Sequence, residues 1–279
     1  PSSGGDFITS GYNRGGDTAT AGYFGLSGEV YFNVVEDQGK TVMPACTLTT
    51  LSVRRATVGA GNTATYTVRK NGADIPNCKV DFSNSDGAYA LKTWTGSESI
   101  AEGDVLTIGY TYTGTPATSY TPFGLAFTPA NPGDYPLTCA VYTLTGAGAG
   151  RYSALSGSSG ITGNFQATEN NAYTYGLVPN VVLKKLLAWT SVAQGAGQTL
   201  VVKLRKNDAD CTDNINAITF SNVGGFLASP AGLETLAEAS AYNAMTTLSA
   251  GGATGNVSLC WLAGPPSQAD SNFFFVFYS

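Results

Sequence analysis

Three aspartates in one predicted loop could hold a metal ion. Asp208, Asp210 and Asp213 follow a predicted strand closely enough to place three carboxylates in one loop, and Ca²⁺ prefers oxygen ligands of this kind. The matching loop of an internal repeat has the single aspartate Asp74, and neither loop has the full spacing of an EF-hand. We predict no bound metal and keep calcium at these aspartates as the alternative.

Acid–base chemistry would have to be carried by carboxylates alone, because the chain contains no histidine. Serine or cysteine nucleophiles activated by histidine are therefore excluded, as are His-ligated metal sites. Glycoside hydrolysis needs only two carboxylates. The candidate acids are scattered over predicted turns: Glu36-Asp37, Glu98, Glu102-Asp104, Glu234 and Glu238. Since turn carboxylates are commonly solvated, we predict that the protein is not an enzyme and has neither catalytic residues nor a cofactor.

An internal duplication organises the chain. Arg69-Lys70-Asn71 returns 136 residues later as Arg205-Lys206-Asn207, and a Gly-Ala-Gly corner precedes the motif in both places. A repeat of this length is long enough for each copy to bury its own core. The sequence therefore predicts two similar domains in tandem.

Alternating polar and apolar residues indicate that both copies are built of strands. Residues 63–69 and 199–205 alternate, and the sequences that follow, Asn71-Gly72 and Asn207-Asp208, favour the positive φ angles of a tight hairpin. About eight such strands are predicted in each copy. We predict an all-β protein of two tandem antiparallel β-sandwich (jelly-roll) domains that arose from an internal duplication.

The repeat also predicts the domain boundaries. Residues 1–20 are predicted to form an N-terminal arm that could reach a neighbouring subunit, 21–145 the first jelly-roll domain, 146–150 a Gly/Ala linker, and 151–279 the second jelly-roll domain. The apolar run 273–278 is predicted to be a buried closing strand.

Composition limits the classes of molecule that the protein is expected to bind. Charged residues make up 12% of the chain and the net charge is −5, so we expect no nucleic-acid partner. No apolar run reaches the roughly 18 residues that span a bilayer, so we expect no membrane partner. We also expect synthesis in a host cytoplasm, because no signal peptide is recognisable. Neutral hydroxyl and amide groups cost less to desolvate than charges do, which suits protein–protein contacts.

The five cysteines fit a reducing compartment, because an odd number cannot all pair within one chain. Cys46, Cys139 and Cys260 align with hydrophobic residues of the other copy, which predicts buried structural thiols. Cys78 and Cys211 each follow the Arg-Lys-Asn turn. We predict that these two are also reduced.

Three segments carry a family resemblance. Residues 59–72 contain the Gly-x-Gly corner and Arg-Lys-Asn-Gly, residues 100–113 begin Ile-Ala-Glu-Gly-Asp-Val-Leu-Thr-Ile, and residues 123–129 read Phe-Gly-Leu-Ala-Phe-Thr-Pro. This combination resembles the jelly-roll modules of bacteriophage structural proteins. The tandem arrangement is similar to the double jelly-roll major capsid proteins of tailless viruses, which assemble as trimers with a pseudo-hexagonal outline.

The resemblance implies a virion structural protein that acts by protein–protein contacts. It would be a capsid decoration (cement) protein or a capsid subunit of a bacteriophage, located in the virion, with copies of itself or other virion proteins as partners and a trimer as the favoured homo-oligomer. We also infer that the duplication gives one chain two similar but inequivalent faces for neighbouring sites.

A receptor-binding or glycan-binding module of a tail or fibre is the alternative function. Exposed aromatic side chains could stack on sugars. However, Trp94, Trp189 and Trp261 do not fall at equivalent positions of the two copies. We therefore predict that the tryptophans pack in the core.

Overall fold

The described part of the chain folds mainly into strands. The structure, a computed structural model, describes residues 6–13, 20–26, 35–115, 121–141, 150–153, 155, 174–175, 181–211, 217–232, 234–236, 240–253 and 255–265. Single turns of 3₁₀ helix lie at Glu36–Gln38 and Asn84–Asp86. The described part of the chain contains no helix with the length and hydropathy needed to cross a lipid bilayer.

The first half of the molecule, residues 6–130, is a jelly roll. Its described strands are β1 (Phe7–Asn13), β2 (Ala21–Phe24), β3 (Thr41–Val42), β4 (Cys46–Arg55), β5 (Thr63–Lys70), β6 (Ala73–Ser83), β7 (Ala90–Ile100), β8 (Val105–Tyr112) and β9 (Thr121–Pro129). One antiparallel sheet has the order β1-β9-β4-β7, and the other has the order β2-β8-β5-β6 with β3 also paired to β8. The first strand lies beside the last and the second beside the one before last, which is jelly-roll winding.

The second half, residues 135–265, repeats this winding. Its described strands are β10 (Tyr135–Val141), β11 (Gly150–Ser153), β12 (Thr174–Tyr175), β13 (Val181–Thr190), β14 (Thr199–Lys206), β15 (Ala209–Asp210), β16 (Ala217–Ser221), β17 (Gly225–Ala228), β18 (Glu234–Leu236), β19 (Ala241–Leu248) and β20 (Val257–Gly264). The sheets have the orders β10-β20-β13-β17, with β18 on β13, and β11-β19-β14-β15, with β12 on β19 and β16 on β14. The predicted fold class, two tandem jelly rolls, is confirmed.

The repeated Arg-Lys-Asn motif forms a hairpin tip in both halves. Asn71 and Gly72 have φ angles of 54° and 83°, and Asn207 and Asp208 have φ angles of 48° and 67°. Two consecutive residues with positive φ match the right-handed twist of the flanking strands, which explains why these sequences turn there.

Each half buries its own core between its two sheets. The first core is aromatic, and the rings of Tyr66 and Tyr110 lie 5.1 Å apart between their centroids. Arg55 is only 1% exposed; its guanidinium lies over both rings and donates a hydrogen bond to the Tyr66 hydroxyl. The second core is mostly aliphatic and contains the fully buried Trp261. The prediction of core packing is therefore right for this tryptophan.

The division between the halves lies earlier than predicted. Strand β10, assigned from sequence to a first domain of residues 21–145, pairs along its length with β20. It therefore begins the second half, and the connection is the short turn at 131–134. The predicted linker 146–150 is corrected because Gly150 starts β11; residues 142–149 lie outside the described residues. Alternation cannot identify which sheet a strand joins, because its pairing partner is distant in sequence.

The predicted N-terminal arm is also corrected in part. Strand β1 pairs with β9, and the Phe7 ring stacks on Phe127 with 5.0 Å between centroids. Residues 7–13 thus belong to the first sheet, whereas residues 1–5, 14–19 and the predicted closing strand 273–278 lie outside the described residues.

We expect Phe7→Ala to destabilise the first half by roughly 3 kcal/mol, because it removes a buried aromatic ring from the core. The neighbouring Ile8 is 69% exposed, so Ile8→Ala should change the free energy of unfolding by less than about 0.5 kcal/mol. Urea titration followed by circular dichroism measures both values. Equal effects of the two substitutions would contradict the placement of β1 in the sheet.

Candidate functional site

The loop predicted as a calcium alternative is held by internal ion pairs. The Asp210 carboxylate accepts hydrogen bonds from Lys203 Nζ, at 2.7 Å, and from the Arg205 guanidinium. The bond from Lys203 is the main cause of the lowered pKa of Asp210, with a second contribution from Arg205. Arg205 also donates to the backbone carbonyl of Asp208, while Asp213 lies outside the described residues. Within the described residues, no group of three or more acids or cysteines is placed to hold a metal.

The corresponding turn of the first half has the same construction. Arg69 donates to the carboxylates of Asp74 and Glu36, with 2.9 Å from its Nε to Glu36 Oε1, and the bond to Glu36 is the main cause of its raised pKa. Asn71 accepts from the backbone N–H of Val105 at 3.0 Å, as Asn207 accepts from Ala241 at 2.9 Å in the second half. The asparagine of the motif thus ties each hairpin tip to the first residue of a neighbouring strand, which is β8 in the first half and β19 in the second half.

The other candidate acids are also engaged by polar partners. Described partners are Lys40 for Asp37, Lys70 for Glu98, Lys185 for Glu102, Asn71 and the Ala101 N–H for Asp104, and Lys206 at 3.8 Å for Glu234. Glu238 lies outside the described residues. These carboxylates therefore contact lysine, asparagine or backbone groups of the chain itself.

The described thiols are mostly buried. Burial is the main cause that raises the pKa of Cys46 and of Cys78 to about 12, and it raises the pKa of Cys260 well above its usual range. Cys211 is half-buried. Because the thiolate is the reactive form, the three buried groups behave as small hydrophobic residues.

The two halves meet through a separate apolar cluster. Val42 and Val105 of the first half pack against Leu187 and Cys260 of the second, and all four side chains are buried. Half-buried Trp189, Phe226 and Ala228 surround them. One end of the first jelly roll thus covers the outer face of the sheet formed by β13, β17 and β20.

Polar groups surround this contact. The backbone N–H of Val42 donates to Ser258 Oγ at 3.0 Å, and Lys185 Nζ lies 2.6 Å from Glu102 Oε1. The ammonium group of Lys40 lies 5.1 Å from the ring centre of Trp189. A buried apolar centre with paired polar groups at its edge is the construction of a stable protein interface.

Sequence reasoning did not find this contact, although one signal was present. Within the strand 181–190, the run 186–189 is apolar at consecutive positions, with Leu186 turned into the second core and Leu187 turned towards the first half. A strand that is buried on both faces gives such a continuous apolar run. Trp189, predicted to pack in the core, lies half-buried in this contact, and Trp94 packs against the first core.

A shallow depression of about 280 Å³ lies on the outer face of the sheet β2-β8-β5-β6. Its floor contains Thr65, Thr67 and Gly109, and Tyr23 lies at its side with the Arg69 guanidinium 5.7 Å from the ring centre. In the second half Met245 takes the place of Gly109, because it pairs with Lys203 as Gly109 pairs with Thr67. The two halves therefore differ on this face.

No protein family model matches this sequence, and no curated protein matches it. Among solved structures, the chain is similar to a chain of Broad Bean Stain Virus, with 10% identity, a TM-score of 0.26, and coverage of 93% of this chain and 88% of that one. It is similar to the major capsid protein P2 of bacteriophage PM2, with 7% identity, a TM-score of 0.23, and coverage of 95% and 99%. A tandem CBM22 domain from Paenibacillus barcinonensis Xyn10C has 12% identity, a TM-score of 0.24, and coverage of 80% of each chain. Because these TM-scores are below 0.5, the likenesses assign neither a family nor a function.

We expect Gly103→Ala to weaken the contact between the halves. A Cβ atom at Gly103 would lie 2.5 Å from the Phe226 ring, and the backbone has φ 91°. Gly61 is the matched control, because it also has positive φ but no atom within 4 Å of an added Cβ. Both substitutions should lower the free energy of unfolding by about 1 kcal/mol, because they place alanine at positive φ. Gly103→Ala should lower it by roughly 1–3 kcal/mol more, because the added methyl group overpacks the contact.

Thermal unfolding of the two glycine variants measures this difference. Equal losses of stability would contradict the close contact between Gly103 and Phe226.

Proposed function

We propose that this protein is a structural component of a bacteriophage virion, either a capsid subunit or a capsid decoration protein. It acts by contacts with copies of itself or with other virion proteins, without catalysis, cofactor, nucleic-acid partner or membrane partner. The observation that carries this proposal is the buried contact between two jelly rolls of the same strand order. Such a contact makes one chain a rigid block with two similar building units.

The charge distribution supports assembly through neutral surfaces. Acidic side chains at the hairpin tips and at the contact between the halves form ion pairs within the chain. Examples are Glu36 with Arg69 and Glu102 with Lys185. The outer faces of β4 and β7 include neutral hydroxyl side chains, among them Thr47, Ser52 and Thr93. Neutral surfaces lose less solvation energy on contact than charged ones, and many weak contacts in a shell give high avidity.

A trimer is the favoured oligomer in this proposal. Three copies of a chain with two similar halves place six similar units around one threefold axis. A closed arrangement of this kind satisfies every contact surface, whereas a head-to-tail contact that does not close continues as an open filament.

We expect the purified protein to form trimers or larger closed assemblies that persist in 0.5 M salt, because neutral contacts are weakly screened. Sedimentation velocity at increasing protein concentration, together with electron microscopy of the same sample, measures this. A decoration protein would instead stay small alone and co-sediment with purified capsid shells. A monomer at all concentrations that also fails to bind shells would contradict the proposal.

The depression beside Tyr23 favours a second candidate, a glycan-binding module. Its hydroxyl groups, aromatic ring and mixed charges are groups that bind sugars. Thr67→Lys, which installs the residue of the second half, should abolish binding to any glycan captured on an array. Thr93→Lys, on the other sheet, is the control. Absence of glycan binding by the unsubstituted protein would contradict this candidate.

A further inference from the structure

The contact between the halves uses a surface that occurs twice in the molecule. In the second half, Leu187 and Phe226 belong to the outer face of the sheet and are covered by the first half. Strand pairing identifies the corresponding face of the first half: Trp189 pairs with Phe226 as Arg54 pairs with Leu91. Leu91 thus has the position of Phe226.

This corresponding face of the first half is exposed. Leu91 is 66% exposed and Tyr89 is 65% exposed, which places them among the most exposed large apolar side chains of the described residues. The guanidinium of Arg54 lies 5.7 Å from the Tyr89 ring centre, and its Nε donates to the Tyr89 carbonyl at 3.2 Å. Tyrosine and arginine are the side chains enriched at the energetic centres of protein interfaces.

The backbone of Tyr89 is a second, independent indication. Its φ angle is 58°, a left-handed conformation that side-chain-bearing residues rarely adopt, and its N–H donates to the Ala56 carbonyl at 2.6 Å. By strand register the corresponding residue of the second half is Gly224, and the positive φ angle, 80°, occurs there at the next residue, Gly225. Strained residues cluster at functional sites, which makes Tyr89 a candidate contact residue.

We propose that this face, which we call the acceptor face and define by Ser52, Arg54, Tyr89, Leu91 and Thr93, binds the second half of another copy of this chain. The proposal rests on the proposed structural function. The part of the other copy that binds this face is one end of its second half. This end corresponds to the end of the first half that packs against the second half within one chain. Tyr175 pairs with Ala241 there, as Val42 pairs with Val105 in the first half.

The chemistry of the two faces fits two kinds of contact. The face within the chain contains Leu187 and Trp189 and is permanently covered. The acceptor face has Ser52 and Arg54 at the corresponding positions, so it is soluble when uncovered. Interfaces that form and dissociate are more polar than permanent ones. If every copy binds the acceptor face of the next copy with its own second half, the copies are linked head to tail. Such a series forms a closed ring when the rotation between successive copies adds up to a full turn.

Site-specific cross-linking tests the acceptor face. Leu91 is replaced by the photo-reactive amino acid p-benzoylphenylalanine in the full chain, and a mixture of ¹⁵N-labelled and unlabelled protein is irradiated. Mass spectrometry should find cross-links between copies from position 91 to residues 240–242. The same replacement at Ile8, which is 69% exposed on the opposite edge strand of that sheet, should not give cross-links to 240–242.

A charged substitution provides the second measurement. Leu91→Lys should raise the dissociation constant for self-association at least tenfold, while Ile8→Lys leaves it unchanged and both variants keep the unfolding temperature of the parent. Association without cross-links to 240–242, or with full strength in Leu91→Lys, would overturn the acceptor face and leave the proposed function intact. Absence of any association between copies would overturn the acceptor face, and failure to bind shells as well would overturn the proposed function.

Discussion

Burial of β13 and β20 on both faces is the constraint on which the arrangement of the molecule depends. Through one face, Leu186 and Trp261 fill the core of the second jelly roll. Through the other, Leu187 and Cys260 require cover, which Val42 and Val105 of the first jelly roll provide. An isolated second half would expose this apolar patch to water. The two jelly rolls are therefore one structural unit rather than two independent modules on a linker.

Local features of the fold could be predicted from the sequence, and distant pairings could not. The hairpin at Asn71-Gly72 and its repeat follow from residues that adopt positive φ. Strand β10 was assigned to the wrong half because its partner β20 lies more than one hundred residues away. Strand β1 was missed because its serine, threonine and glycine resemble a flexible segment. The contact between the halves was missed because an apolar strand was expected to serve one core only.

The repeated halves differ in how they use the same surfaces. Asp210, one of the aspartates that suggested a calcium loop, pairs with Arg205 of its hairpin tip, and Asp74 pairs with Arg69 in the same way in the first half. These ion pairs link strands and turns of the same half, while the outward positions of β4 include Thr47 and Ser52. One outer face forms the contact within the chain, and its counterpart is exposed with Tyr89 and Leu91.

Hydrogen–deuterium exchange is the most direct measurement of the claim that the two halves form one unit. The amide of Val42 donates to Ser258 across the contact, and the amides of 257–260 lie in a strand covered on both sides. We predict that both exchange as slowly as the core strands of each half, and far more slowly than the amides of the edge strand β7. Exchange at Val42 as fast as at the exposed edge would mean that the halves separate readily, and it would contradict the account.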